Sequence, residues 1–341
     1  MQHINLCITN RCNQNCIHCW VDPNSRKIPE LNSEEIIEIL GNMANNGLKS
    51  IHIFGGEPFL RDDLQFICQE LTAREISISI ATNAQFLDAN NLQWIKDNNV
   101  FLAITLHGPQ LIHDEITSNP GSFEKAIQSI KTALELEVNF AITTCINKKN
   151  VNNYKILINY CSNIGVKDYF VLYFSPIGRG NNLIQYIMSN TEWELFINDL
   201  QKFKHSLDSN IEISYELSVF QRKNITYLNY QYICNPCSIE SKELFVIDSN
   251  GDVYPCLLLL KDPRFGLGNL KQIGLNAVLD SNLNKKIQNA VEIPTDCLNC
   301  SFLNLCKGGC IAYKNSQYLD FRCSSSKDHI LVCPLFSRIL Y

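Results

Sequence analysis

The sequence lacks what would commit it to a membrane, to nucleic acid or to disorder. No apolar run approaches the roughly eighteen residues needed to span a bilayer, and the longest such feature, Cys256 to Leu260, is far shorter. Met1 to Asn13 carry no basic stretch followed by an apolar one, so an export signal is not expected. Basic residues are outnumbered, 29 Lys and Arg against 34 Asp and Glu, for a formal charge of −5. That balance does not provide the basic surface that counterion release from nucleic acid requires. Glycine (15) and proline (11) are too sparse for a collagen-like or disordered chain. There is no solenoid repeat and no low-complexity linker. The expectation is a cytoplasmic protein with no nucleic-acid or membrane partner. What is abundant is cysteine, sixteen residues of 341. With 45% hydrophobic residues the chain builds a core too large for a disulfide-stapled secreted domain. In a reducing compartment so many thiols point to metal ligands or reactive groups.

The first two thirds alternate short apolar runs with amphipathic ones. Strands are expected at Ile4–Thr9, Ser50–Phe54, Ile76–Ala81, Val100–Leu106, Asn139–Ile146 and Tyr169–Phe174. Helices are expected at 33–46, 62–74, 88–97, 122–135, 151–164 and 191–207. Ser33 with Glu34 and Glu35 reads as a helix start and Gly47 as its stop. Six strand–helix repeats predict an α/β fold on a parallel sheet, open or curled into a barrel. From about Cys234 the chain becomes rich in cysteine, glycine and asparagine. There Ser249-Asn250-Gly251-Asp252 is a tight-turn signal between two short strands. The expected organisation is a core over 1–207, a linker or bridging region over 208–233 and a cysteine-rich α+β domain over 234–341.

Cys12, Cys16 and Cys19 form C-x3-C-x2-C directly after the first strand. Three thiolates so close can hold three irons of a cubane and leave the fourth open for a ligand. A zinc site with His18 as fourth ligand, or three unrelated cysteines, fits the spacing too. The second strand ends in Gly55-Gly56-Glu57-Pro58. Two glycines there let a ligand approach the backbone, and Glu57 can accept hydrogen bonds from an ammonium group. Ligands of parallel α/β folds bind at that strand edge.

Together these residues resemble the radical S-adenosylmethionine (radical SAM) enzymes. The resemblance implies that Cys12, Cys16 and Cys19 hold a 4Fe–4S cluster whose free iron chelates S-adenosylmethionine, and that Gly55, Gly56, Glu57 and Pro58 line the amino group of that ligand. It also implies a partial (β/α)6 barrel, with Asn83, Thr105 and His107 lining the cofactor site. His107 stands where the family often has aspartate. Further on, Gly251-x4-Cys256 and Cys297-x2-Cys300-x5-Cys306-x3-Cys310 resemble the SPASM extension of the same family. That extension implies two auxiliary iron–sulfur clusters, with Cys234, Cys237, Cys256 and Cys310 as the ligands of one and Cys297, Cys300, Cys306 and Cys333 as those of the other, Cys323 being the rival of Cys333. A zinc ribbon built on Cys234-x2-Cys237 and Cys297-x2-Cys300 is the competing reading. Of the remaining thiols, Cys7, Cys68, Cys145 and Cys161 default to packing. Cys145, near the end of the fifth strand, is also a candidate hydrogen-atom donor to a substrate radical.

The resemblance implies reductive cleavage of S-adenosylmethionine to a 5′-deoxyadenosyl radical, with flavodoxin or ferredoxin as electron donor. The expected substrate is a ribosomally made peptide or a protein that is crosslinked, oxidised or epimerised. The alternatives are a small molecule such as a tetrapyrrole or carbohydrate, or a non-catalytic zinc module. The first strand starts at about residue 4, so no peptide-recognition domain is expected ahead of it. Leu257 follows Cys256 where anaerobic sulfatase-maturing enzymes have an aspartate, and Arg179 in Ser175-Pro176-Ile177-Gly178-Arg179-Gly180 can pair with a carboxylate.

Overall fold

The computed structural model describes residues 2–21, 28–208, 210–215, 244–280 and 298–299. Its sheet is built around six parallel strands in sequence order: β1 (His3–Thr9), β2 (Ser50–Gly55), β3 (Ser77–Thr82), β4 (Phe101–Thr105), β5 (Phe140–Ile146) and β6 (Asp168–Tyr173). The helices α1 (Ser33–Asn45), α2 (Leu64–Thr72), α3 (Ala89–Asp97), α5 (Ser122–Glu135) and α6 (Tyr154–Asn163) lie in the connections as the periodicity predicts, with α7 (Asn190–Ser206) after β6. A further helix, α4 (Gln110–Thr117), precedes α5.

Two extensions of the sheet were not anticipated. Glu212–Tyr215, in the stretch read as a linker, is a strand, β7, parallel to β6. On the other edge β8 (Leu244–Ile247) runs parallel to β1. It turns through Asn250-Gly251 into antiparallel β9 (Asp252–Tyr254), as the Asn-Gly signal requires; Gly251 takes φ +91°. A two-residue β10 (Gly268–Asn269) and a helical segment α8 (Leu270–Asp280), interrupted at Gly274, follow.

The strands' alternation separates the two faces of the sheet. Ile4, Leu6 and Ile8 of β1, Ile51 and Ile53 of β2, Ile78 and Ile80 of β3 and Leu102 and Ile104 of β4 all join the main apolar core with α1, α2, α3, α5 and α6. The intervening residues point the other way, and a second small apolar cluster (Cys7, Phe54 and Val246, with Trp20, Ala81, Leu257 and Leu260 packed against it) lies on that face. With the helices packed on one face, the other face, carrying this cluster, is the interior of a partial barrel. Among the described residues no helix is long and apolar enough to cross a membrane.

Local signals set the boundaries. α1 begins at Ser33 as expected and is capped by the residue before it: Asn32 accepts from the Glu35 N–H and the Glu35 carboxylate reaches back, a capping box. Gly47 ends it at φ +94°.

Candidate active site

The cysteine loop leaves β1 at the C-terminal edge of the sheet and is held from five sides. Beneath it, the N–H groups of Gly56 and Glu57 donate to Thr9 O and Arg11 O, both at 2.7 Å. A Cβ on Gly56 would lie 2.0 Å from Arg11 O, and one on Gly55 2.2 Å from Thr9 O. The two glycines are therefore required so that the loop's own backbone can approach. On a second side Asn15 and Ile17 donate their N–H groups to Thr117 O and Ile116 O of α4. On a third, the Arg179 N–H donates to Cys19 O at 2.9 Å, the Arg179 guanidinium reaches Asn15 Oδ1, and Gly178 (φ +57°) packs on Trp20 so tightly that a Cβ would meet Trp20 O at 2.1 Å. On a fourth, Asn83 Nδ2 donates to Asn13 Oδ1 at 2.8 Å and lies 3.9 Å from Cys12 Sγ. On the fifth, Asn10 binds the β8–β9 loop through Ser249 Oγ at 2.6 Å.

Inside this frame the thiols are neighbours. Cys12, Cys16 and Cys19 are all half-buried. Burial, followed by the charges of Cys19 and Cys12, pushes the Cys16 thiol up to about 12, while the Arg179 guanidinium acts the other way. The Gln14 N–H donates to Cys12 Sγ at 3.4 Å. Among the described residues no three His, Cys, Asp or Glu side chains converge as a single metal ion would require. A cluster taking one thiolate per iron does not need that convergence.

Glu57 is 0% exposed. Its carboxylate accepts from Thr82 Oγ1 and the Asn83 N–H, both at 2.8 Å, and from the Phe59 N–H at 3.2 Å. Burial lifts its pKa to about 7 against those three hydrogen bonds. The side chain thus ties the end of β2 to the end of β3. Pro58 is buried and opens the following 3-10 turn, Pro58–Leu60.

At the ends of β4 and β5, Thr105 Oγ1 and Thr143 Oγ1 lie 3.5 Å apart, and Cys145 is half-buried two residues on. His107, 4% exposed, stands edge-on to His18 with ring centroids 4.4 Å apart and stacks on His113. His113 Nδ1 accepts from the His107 N–H at 3.2 Å. Burial depresses all three imidazoles, His18 and His113 to about 4, so they are neutral at pH 7. Among the described residues His18 Nδ1, His107 Nδ1, His113 Nε2 and Arg179 Nε are buried with no hydrogen-bond partner. Such groups are costly to leave unmade, so their grouping around three thiols fits a pocket completed by a polar ligand.

Sequence reasoning did not find the clamps: Asn10, Asn15, Gly178 and Asn150, whose Nδ2 donates to His107 O at 2.8 Å and Cys145 O at 2.9 Å. Their only signal is asparagine or glycine at strand ends. Of the cysteines expected as auxiliary ligands, Cys256 is described; it is buried, and its Sγ accepts from the Leu258 N–H at 3.3 Å. Cys234, Cys237, Cys297, Cys300, Cys306, Cys310, Cys323 and Cys333 lie outside the described residues.

Comparison with known proteins agrees with this arrangement. A model of the radical SAM superfamily matches residues 6–161, and one of the SPASM iron–sulfur cluster-binding domain matches residues 234–301. The cysteine-type anaerobic sulfatase-maturating enzyme of Clostridium novyi is 26% identical over 91% of this chain and 87% of its own length. The AdoMet-dependent heme synthase of Oleidesulfovibrio alaskensis is 24% identical over 89% and 81%. In fold, Streptococcus suis SuiB bound to its precursor peptide SuiA superposes with a TM-score of 0.80 at 19% identity, over 95% of this chain and 75% of that one. The chain therefore belongs to the radical SAM superfamily, as an enzyme with a SPASM domain whose cofactors are iron–sulfur clusters and S-adenosylmethionine.

Proposed function

We propose that this enzyme matures a ribosomally synthesised peptide or protein, forming a crosslink, oxidising a side chain or inverting a stereocentre. The observation that carries the chemistry is the clamped loop of Cys12, Cys16 and Cys19, with unpartnered imidazole and guanidinium nitrogens around it. The peptide substrate is supported by the likeness to SuiB in complex with SuiA and to a sulfatase-maturating enzyme.

Cys12, Cys16 and Cys19 would hold the catalytic 4Fe–4S cluster. When bound, that cluster and S-adenosylmethionine supply a carbon-centred radical able to abstract a hydrogen atom from an unactivated carbon. The chain's own residues prepare the site for it. The Gln14 N–H and the Arg179 charge favour the thiolate forms of Cys12 and Cys16. Glu57 fixes the end of β3 so that Asn83 faces the loop, and the neutral His18 and His107 offer hydrogen bonds without adding charge. Thr105 lines the same strand edge. Cys145 supplies the second hydrogen atom if the product is an inverted stereocentre; a crosslink has no use for it. The auxiliary ligands are those given by the SPASM resemblance, with domains over 1–207 and 234–341 joined by 208–233. A flavodoxin or ferredoxin in the cytoplasm serves as electron donor.

Anaerobically reconstituted protein, reduced in the presence of S-adenosylmethionine, is expected to release 5′-deoxyadenosine, and replacing Cys12, Cys16 and Cys19 by alanine should abolish that release. Colourless protein with zinc and no iron would sink the reading. Substrate class is decided by mass spectrometry of short peptides encoded beside the gene after incubation with the enzyme. The similarity to a heme synthase favours a tetrapyrrole as the second reading, and turnover of a porphyrin with no peptide product would establish it.

A further inference from the structure

We propose that Trp20, Phe54, Leu257 and Leu260 form the wall that selects the substrate, and that the residue modified carries an uncharged apolar side chain, aromatic or branched. The inference rests on the peptide reading proposed above and deepens it. These side chains gather on the interior face of the barrel, where Cys7, Phe54 and Val246 are buried. Trp20 directly follows Cys19, so the wall begins beside the last thiol of the catalytic loop. Its ring centroid lies 5.1 Å from that of Phe54, the planes tilted by 50°. Phe54 in turn stacks on His52, with centroids 6.2 Å apart. The chain after Cys256 completes the wall. In the 3-10 turn Leu257–Leu259, side chains three apart eclipse, so Leu257 and Leu260 share a face. They meet the interior cluster, while Leu258 and Leu259 pack into the main core. Main-chain N–H groups fix the turn: Leu259 donates to Cys256 O at 3.1 Å, Leu260 to Leu257 O at 3.2 Å and Asp262 to Leu259 O at 3.1 Å.

Trp20, Leu257 and Leu260 remain half-buried beside the catalytic loop. Apolar surface left accessible at a reaction centre marks contact with something apolar. Two molecules meet there, and the site divides them. His18 packs on His107 and Phe174, beyond the ends of β4 and β6, whereas Trp20 packs on Phe54 at the end of β2. On the first side, among the described residues, His18 Nδ1, His107 Nδ1 and Arg179 Nε are buried without a partner. That side suits S-adenosylmethionine, which is charged and rich in hydrogen-bonding atoms. The four side chains of the second side carry no charge and, apart from the indole N–H, no hydrogen-bonding group. The charged groups behind them face each other: Lys261 Nζ lies 2.7 Å from Asn10 Oδ1 and 3.8 Å from Asp248 Oδ2, and Asp248 is 1% exposed. A charged side chain set against this wall would lose its hydration without compensation, whereas an apolar one is favoured by its burial. The wall therefore receives the substrate.

The probes are N-acetyl amino-acid amides in large excess, with leucine and phenylalanine as the apolar pair and serine and aspartate as the polar pair. Binding to oxidised, reconstituted enzyme with S-adenosylmethionine, where no turnover occurs, is read by saturation-transfer NMR. The apolar pair should bind about tenfold or more tightly than the polar pair. After reduction with dithionite, probes deuterated at every carbon should pass deuterium to 5′-deoxyadenosine in the same order, read by mass spectrometry. One C–D bond breaks, the deuterium joins the 5′ carbon, and the probe radical takes an electron from dithionite and a proton from water. Leu257→Asp and, separately, Trp20→Ala should each bring the apolar-to-polar ratio toward one, and Leu257→Met should keep it. The ratio is taken within each variant, so a smaller fraction of folded or loaded protein does not change it. Equal or inverted preference in the native enzyme, or an unaltered ratio in either Leu257→Asp or Trp20→Ala, overturns the proposal. So does 5′-deoxyadenosine free of deuterium with every probe. Preferential binding with no release of 5′-deoxyadenosine would instead defeat the radical reading on which the wall depends.

Discussion

At the scale of single residues, Gly56 and Glu57 carry the sharpest consequences. A methyl group at Gly56 would sit 2.0 Å from the Arg11 carbonyl, so Gly56→Ala must displace the cysteine loop. Cleavage of S-adenosylmethionine should fall at least about a hundredfold, as expected for misplaced reacting groups. Gly41→Ala, in α1 with its nearest neighbour at 3.6 Å, should instead raise stability by about 0.5–1 kcal/mol in thermal melts. Glu57 gives a pH signature. Its folded pKa, about 7, is above the usual 4.5, so the folded state binds the proton more tightly than the unfolded chain. Stability is therefore highest below pH 4.5 as far as this group is concerned, and is lost as pH rises to about 7, by about 3 kcal/mol. In cluster-free protein Glu57→Gln should flatten that slope; an unaltered profile would show that the burial cost is carried elsewhere.

At the scale of elements, the ends of β4 and β5 are joined by one amide. Asn150→Ala would strip a donor from both His107 O and Cys145 O and an acceptor from the Asn147 N–H, all in the interior. Leaving these groups unpaired should cost about 2–4 kcal/mol, read in a denaturant titration, and should disturb His107 most. Strands β1 to β6 were legible as short apolar, β-branched runs between helical patterns, as expected of parallel strands buried on both sides. The Asn-Gly turn and the end of α1 at Gly47 were legible because glycine is needed at positive φ. Three elements were not. α4 is short and starts at Pro109 with no side-chain cap, so it offers no start signal. β7 has four residues, too few to show a period, and gains its place by pairing with β6. α8 contains Gly274 at φ +72°, which breaks the helical pattern. At the site, the thiols were legible from spacing alone, whereas the role of Glu57 depends on burial that only the packed β2–β3 edge creates.

At the scale of the whole molecule, the proposed cluster assignments divide the sixteen cysteines into ligands and packing residues. Cys7, Cys68 and Cys161 are buried, and burial raises their thiols. Alanine at Cys68 or Cys161 should leave the iron content unchanged and cost only packing. Alanine at Cys333 should remove iron that alanine at Cys323 does not, since only one of them is needed as the last auxiliary ligand; elemental analysis of both variants decides the pair.

Five of the contacts that clamp the cysteine loop share one property. Gly56 to Thr9, Glu57 to Arg11, Asn15 to Thr117, Ile17 to Ile116 and Arg179 to Cys19 are all contacts between main-chain N–H and C=O groups. A shape written in main-chain groups does not depend on which side chains fill the gaps. A position between the thiols such as Ile17, clamped through its main chain alone, is therefore open to evolutionary drift, and a lineage can alter the rim its substrate meets without rebuilding the cradle beneath it.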